Sequence, residues 1–445
     1  MQKDFTEGPI TSSLLRFSFP LMLGNLLQQC YNVADTWVVG RYLGSEALAA
    51  VGSSYTLMTF LTSILLGLCM GSGAVFSMQY GRRDMERLKN SLFLSFTFIA
   101  AVTVLLNVAV FLGLDLIVAA LQVPNEVVPL MKEYLLIIFI GISATFLYNY
   151  FASLLRAVGN SIVPLVFLGI ASVLNVGLDL LFVLVFPWGV QGAAAATVIA
   201  QFVSGFGMAG YVLLRVPSLR PAKRHLRWDA GIVREIASLS FLTSVQQSIM
   251  NFGILLIQGL VNSFGTVVMA AFAAAVKINS FAHMPAQDFG NAFSTFIAQN
   301  YGAGRHDRIQ KGVKSAVLTA LVFCVTISAF VCIFARPLIG LFVQPGETDI
   351  LAVGVQYLRI EGSCYFGIGL LALLYGYYRA IHRPGISVVL TVISLGTRVL
   401  LAYLLSSIPA IGVVGIWVSV PIGWLLADLT GVLYQRKLRR IPPQI

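Results

Sequence analysis

Two acidic residues fall inside apolar stretches in the first half of this chain: Asp35, within LLQQCYNVADTWVVG, and Asp179, within SVLNVGLDLLFV. An ionisable group at bilayer depth costs about 2.5–3.5 kcal/mol on insertion scales, so each is a functional residue by default. Asn175 lies four positions before Asp179, on the same helix face. Two carboxylates brought together in a low dielectric do not both stay ionised comfortably, and a shared proton or cation relieves them. That is the chemistry of a proton or sodium site. The structural alternative is a pair of carboxyls satisfied by hydroxyls. The membrane interior of this half offers no basic partner.

In the second half Lys277, Glu361 and Arg398 also fall near mid-depth. Glu361 and Arg398 are expected to form an internal ion pair. Lys277 and Asp288 are eleven positions apart, on one helix face but roughly 16 Å from each other. With Gln28, Tyr31 and Gln287 they are the candidates for lining a substrate cleft. Pro20 removes a backbone hydrogen bond early in the helix that carries Asp35 and is expected to kink it. Gly71 and Gly73, inside an apolar span, are read as sites of close helix contact rather than a phosphate loop. His283 and the five cysteines, which show no CxxC spacing, are read as packing residues.

The elements that must hold these residues follow from composition. The chain is 445 residues long, 58% hydrophobic and 11% charged, with a mean hydropathy of +0.86. Soluble domains carry about 25% charged residues. The apolar residues recur in stretches of roughly 20 or more, the length that crosses about 30 Å of hydrocarbon as helix. Gly, Pro and charge clusters divide them into twelve predicted helices near 15–40, 48–78, 90–114, 127–156, 161–186, 189–215, 236–262, 268–299, 312–336, 350–380, 385–408 and 411–436. The N-terminal MQKDFTEGPITSS has no short apolar core before a small-residue cleavage site, so no removal of a signal is expected.

The charge of +11 does not mark a nucleic-acid partner, because the basic residues sit in short loops between apolar runs. Of the 29 Lys and Arg, 23 fall on one side, among them Arg82, Arg83, Arg156, Arg305, Lys311, Arg383 and Arg440. Arg41, Lys132 and Arg336 mark the other. The positive-inside rule then makes both termini cytoplasmic in a multi-pass plasma-membrane protein. Helices 1 and 5 run outward and place Asp35 and Asp179 in their outer halves. Helices 4 and 6 run inward, so Tyr134 and Thr197 reach a similar level.

The second half repeats the first at a spacing of about 222 residues. MQYGRRDMERLKNSL (78–92) matches QNYGAGRHDRIQKGVKSAV (299–317), and LLRAVGNSIVPLV (154–166) matches GYYRAIHRPGISVVL (376–390). GVQGAAAAT (189–197) matches GVVGIWVSV (412–420), and LQVPNE (121–126) matches LFVQPGE (341–347). Under the repeat Arg398 takes the place of Asn175, and Ala402 that of Asp179, so the acid pair is not duplicated. Six spans per half leave the halves in one orientation, a parallel repeat. The expected architecture is an all-α integral membrane protein with twelve transmembrane helices in two six-helix lobes, 1–215 and 236–445, joined by a cytoplasmic linker, 216–235. Such a duplication suits alternating access. No GxxxxGK[ST] motif marks an ATP site, and no nucleophile or acid–base set marks an enzyme.

Over essentially its whole length the chain resembles the MATE (multidrug and toxic compound extrusion) family. The resemblance rests on the helix from Pro20 to Asp35 with its NVADTWVVGRYLG ending, NVGLD, GAAAAT, and the AFAAAVKINSFAHMPAQDFGNAFSTFIAQNYGAG stretch. It implies efflux of organic, mostly cationic and amphipathic compounds by an antiporter driven by inward H+ or Na+, with no other cofactor. Small-molecule drugs or metabolites and membrane lipid are the implied partners, and a monomer is expected. In the DinF-like branch it looks most like, the cation site would be Asp35, Tyr134, Asn175, Asp179 and Thr197, with any Na+ at Asp35, Asn175 and Asp179. Other branches place an essential acid on helix 7, where this chain has none. A flippase for a lipid-linked or anionic amphipathic substrate is the alternative, kept by Lys277 and Arg398.

Overall fold

The computed structural model describes residues 4–120, 126–343 and 346–439. Lys3, Arg440, most of the LQVPNE match and two positions of LFVQPGE lie outside the described residues. The first half supplies α1 (Ile10–Tyr42), α2 (Ser45–Gly81), α3 (Met85–Leu112), the short α4 (Leu114–Ala120), α5 (Val128–Ile140), α6 (Ile142–Ala157), α7 (Ile162–Leu180) and α8 (Gly189–Arg215). The second half supplies α9 (Ala230–Asn262), α10 (Thr266–Gly302), α11 (His306–Ile333), the short α12 (Ala335–Gly340), α13 (Thr348–Gly362), α14 (Tyr365–Ala380), α15 (Pro384–Ser406) and α16 (Val414–Arg439). Among the described residues ten helices are long and apolar enough to cross a membrane, and up to twelve spans result if each of two bent helix pairs is one span.

Those pairs are where the expected single helices, 127–156 and 350–380, break. α5 and α6 meet at 42°, α13 and α14 at 49°. At the first break the Gly141 N–H reaches back to Ile138 O at 2.8 Å, and at the second the Cys364 N–H reaches Glu361 O at 3.0 Å. Both are three-residue steps that tighten the turn and interrupt the four-residue ladder. The two breaks occupy equivalent places in the repeat. Left-handed positions are repeated too, with φ of 91° at Gly44 and 90° at Gly265, and 59° at Arg83 against 69° at Gly304. α7 also departs from expectation. It ends at Leu180, and Leu181–Val185 form a π-helical turn directly after Asp179.

The chain forms two compact units, and their boundaries differ from the expected lobes. Unit 1 is chiefly Phe19–Ser244, and unit 2 comprises Phe5–Ser18 and Val245–Ile445. The residues expected as a linker, together with the first half of α9, therefore belong to unit 1. Small residues explain this. A Cβ on Gly67 would lie 2.3 Å from the Ser244 Cα, and one on Gly71 2.5 Å from the Ser240 Cα, so α2 and α9 cross backbone to backbone. Ser72 and Ser240 share a 2.9 Å hydroxyl bond at the crossing. Gly73 is not part of it, because its Cβ would meet Ser153 at an ordinary 3.4 Å.

In unit 2 the chain start is buried with equal care. Phe5 is 0% exposed, packs edge-on against Phe17 and Phe296, and donates its N–H to Gln299 Oε1 at 2.9 Å. Arg308 donates to the carbonyls of Phe5, Glu7 and Gly8, each at 3.1 Å. α1 runs unbroken through Pro20, and membership passes from unit 2 to unit 1 between Ser18 and Phe19, beside that proline.

Candidate functional site

Four helices of unit 1 bring the predicted cation-site residues together. Asp35 comes from α1, Tyr134 from α5, Asn175 and Asp179 from one face of α7, and Thr197 from α8. Asp179 is 0% exposed, Asn175 2% and Tyr134 7%. Asn175 Nδ2 donates to Thr197 Oγ1 at 3.2 Å. The Asp35 and Asp179 carboxyls lie within electrostatic reach of each other, and Tyr134 lies within reach of both.

The acceptor count is what gives this cluster its chemistry. Asp35 Oδ1, both oxygens of Asp179 and Asn175 Oδ1 are buried with no hydrogen-bond partner. A carboxylate is acceptor-only, so two facing carboxylates need at least one proton or a cation between them. An all-oxygen set with no thiolate or imidazole suits a proton or a hard cation. The π turn after Asp179 frees the helix from its regular ladder beside the acids, a placement frequent at functional sites.

The proposed cleft residues divide between the units. Tyr31 lies one helical turn before Asp35, hydrogen-bonds to the exposed Gln28, and feels the Asp35 charge. In unit 2, α10 carries the exposed Lys277, the half-buried Gln287 and the buried Asp288, which is 4% exposed.

The expected ion pair of Glu361 and Arg398 is not formed as a direct contact. Each is an electrostatic neighbour of the other, and Glu361 instead hydrogen-bonds to Tyr357 and Asn279. Asn279 Nδ2 donates to Tyr357 Oη at 3.0 Å, and Tyr365 Oη donates to Asn279 Oδ1. Arg398 Nε and Glu361 Oε2 are both buried without a hydrogen-bond partner. The reason is local: Tyr357 and Tyr365 lie four residues either side of Glu361, and their hydroxyls with the Asn279 amide already surround it. The 357–361–365 spacing was the available signal for this cluster. Trp417 closes it, stacked at 8° on Phe272 and edge-on to Tyr357 at 4.7 Å between centroids. Arg379, expected among the basic residues of a connection, is instead buried in α14 at 5% exposure and bonded to Asn291 and Ser294, and Asp428, 5% exposed on α16, was not singled out by the sequence.

Described residues that are helical without strands, with up to twelve spans in two units and a half-buried Asp35 beside a buried Asp179 in the first, define a polytopic membrane protein of the transporter class. The MatE family model matches residues 20–181 and 242–404, one stretch per half with starts 222 residues apart. The chain belongs to the MatE family of transporters. It is 30% identical over 437 residues to the probable multidrug resistance protein YpnP of Bacillus subtilis, covering 97% of this chain and 96% of that one. It is 25% identical over 442 residues to the FAD transporter of Shewanella oneidensis, covering 95% and 94%. Among solved structures it resembles an outward-facing multidrug resistance MATE transporter with a TM-score of 0.91 at 23% identity, over 97% of this chain and 96% of that one.

Proposed function

We propose that this protein is a secondary active antiporter that exports organic, mostly cationic and amphipathic compounds in exchange for inward H+ or Na+, by alternating access. It sits in the plasma membrane as a monomer with both termini in the cytoplasm. The coupling ion binds at Asp35 and Asp179, with Asn175, Thr197 and Tyr134 around them. The observation that carries this reading is the set of four buried oxygens of Asp35, Asp179 and Asn175 that have no hydrogen-bond partner. Relatives named as multidrug resistance proteins support the choice of cargo.

The energetics are sufficient. One proton moving through about 100 mV contributes ~2.3 kcal/mol, and one pH unit adds ~1.4 kcal/mol. Together they sustain roughly a 500-fold gradient of a neutral exported compound, whereas for a monovalent cation leaving per proton the potential cancels and the pH difference alone sustains about tenfold. The test is ethidium efflux from energised vesicles under imposed pH or sodium gradients, comparing wild type with Asp35→Asn and Asp179→Asn. Loss in both variants supports the site, and the gradient that drives wild type names the ion. Unchanged efflux in both refutes it.

A second reading, movement of an anionic amphipathic substrate, is favoured by the buried Arg398 Nε that no acceptor satisfies and by the relative named as an FAD transporter. It predicts that wild-type vesicles leave ethidium in place and carry a flavin nucleotide or a lipid-linked phosphate instead.

A further inference from the structure

Between α8 and α9 the chain passes through two short 3₁₀ turns, Pro217–Leu219 and Lys223–His225, before Asp229 caps α9 through the Ile232 N–H at 3.0 Å. All of it belongs to unit 1, and it is clamped from one side. Leu219 is 1% exposed and packs into the core. His225, 4% exposed, accepts the Ala222 N–H on Nδ1 at 2.8 Å and meets Glu86 Oε2 through Nε2 at 2.8 Å. Arg224 donates to the other Glu86 oxygen at 2.7 Å. Asn90 of α3 uses its side-chain amide twice, donating to the carbonyls of His225 at 2.7 Å and Arg227 at 2.8 Å.

Leu226 and Trp228, between and beyond those carbonyls, are 49% and 76% exposed, against 4% for His225. Leu213 and Leu214 at the end of α8 continue the exposed apolar surface, at 43% and 78%. Arg220, Lys223 and Arg227 are exposed beside them. Residues 215–229 carry five basic side chains and one acid, Asp229, which is engaged as the cap. Asn90 stands five residues into α3, about 7.5 Å from its start, and Leu92 begins the uncharged, largely apolar run LFLSFTFIAAV just beyond it. The strap therefore lies at the level where α3 enters the apolar layer, the depth at which Trp side chains anchor.

We propose that the strap at 216–229 is an anionic-phospholipid anchor, with Leu226 and Trp228 inserted at the membrane interface and Arg220, Lys223 and Arg227 taking the lipid phosphates. A soluble acidic protein would account for the charge but not for an aromatic and a leucine held outward at interfacial depth. The inference rests on the membrane fold and not on the transport reading.

The test uses the full-length protein in nanodiscs of phosphatidylcholine, or of phosphatidylcholine with phosphatidylglycerol, each with brominated acyl chains that quench tryptophan fluorescence. Both faces of a nanodisc carry the same lipid, so the result does not depend on which face is cytoplasmic. Subtracting the Trp228→Phe variant isolates the Trp228 signal. Each basic residue near an anionic surface favours lipid contact about fivefold, so the Trp228 signal should be quenched at least about twofold more with phosphatidylglycerol present. The difference should vanish at about 1 M salt, where the Debye length is about 3 Å. It should also vanish in the combined Arg220→Gln, Lys223→Gln, Arg227→Gln variant. A Trp228 signal quenched by neither lipid overturns the proposal in favour of water or a soluble partner. Equal quenching in both lipids overturns the anionic preference.

Discussion

The carboxyls of Asp35 on α1 and Asp179 on α7 lie within electrostatic reach of each other, and three of their four oxygens are buried with no hydrogen-bond partner. Each acid accepts and neither arrives with a donor, so the pair is incomplete until a proton or cation joins it. This arrangement separates stability from function. An amide in place of one acid brings its own donor and satisfies the other, which removes the penalty of a buried acceptor left unmade, about 1–3 kcal/mol. Asp35→Asn and Asp179→Asn are each expected to keep or raise the melting temperature in detergent while gradient-driven efflux falls at least about tenfold, a loss of about 1.4 kcal/mol in coupling. A variant that loses both stability and efflux would mean that the acids serve the fold.

Thr197 holds the Asn175 amide by one 3.2 Å bond. Thr197→Val keeps the shape and deletes the hydroxyl, and a typical net hydrogen bond is worth about 0.5–1.5 kcal/mol. The apparent affinity for the coupling ion, read from efflux rate against external proton or sodium concentration, should weaken about two- to tenfold. The maximal rate should hold.

The crossing of α2 and α9 gives a pair of variants with opposite outcomes. Gly71→Ala puts a methyl 2.5 Å from the Ser240 Cα, against backbone that has nowhere to move, whereas Gly73→Ala meets Ser153 at 3.4 Å. Overpacking of this kind costs about 1–3 kcal/mol. Gly71→Ala should lower thermal stability measurably in a detergent melt, and Gly73→Ala should match wild type.

Glu361 is held by Tyr357 and Asn279 rather than by a direct bond to Arg398. Glu361→Gln can both donate and accept there and should preserve stability. Glu361→Ala strands the Tyr357 hydroxyl and the Asn279 amide and should cost about 1–3 kcal/mol. If the cluster is structural, Glu361→Gln vesicles retain ethidium efflux within about twofold of wild type, since the charge itself is not used. A collapse of efflux in a stable Glu361→Gln protein would assign this acid a transport role.

Much of the scaffold was legible because hydropathy, the repeat and polar intrusions are all local signals. An apolar run of about 20 residues has one stable solution in lipid, a helix with its backbone bonds closed internally. The four-residue spacing of Asn175 and Asp179 likewise fixes a shared face without knowledge of any neighbour. The breaks at Gly141 and at 363–364 were hidden, because both lie in continuous apolar sequence and follow from how the halves of each span pack. The neighbours of Glu361 are hidden in the sequence for a related reason. A charge pairing inferred from depth alone ignores neutral hydroxyls and amides, and these reached the carboxylate first.

Local sequence pattern establishes a duplicated, many-spanning helical membrane protein, with acids at Asp35 and Asp179 that no basic residue in the membrane interior of their half could neutralise. Packing settled that these acids adjoin with their oxygens undersupplied, that the two units divide at Ser18 and Ser244 rather than at the charged connection, and that the strap after α8 is clamped with Leu226 and Trp228 exposed. Helix formation depends on neighbours a few residues away along the chain. Facing acids, glycine crossings and a strap pinned by Asn90 depend on residues more than a hundred positions apart, whose meeting is set by packing.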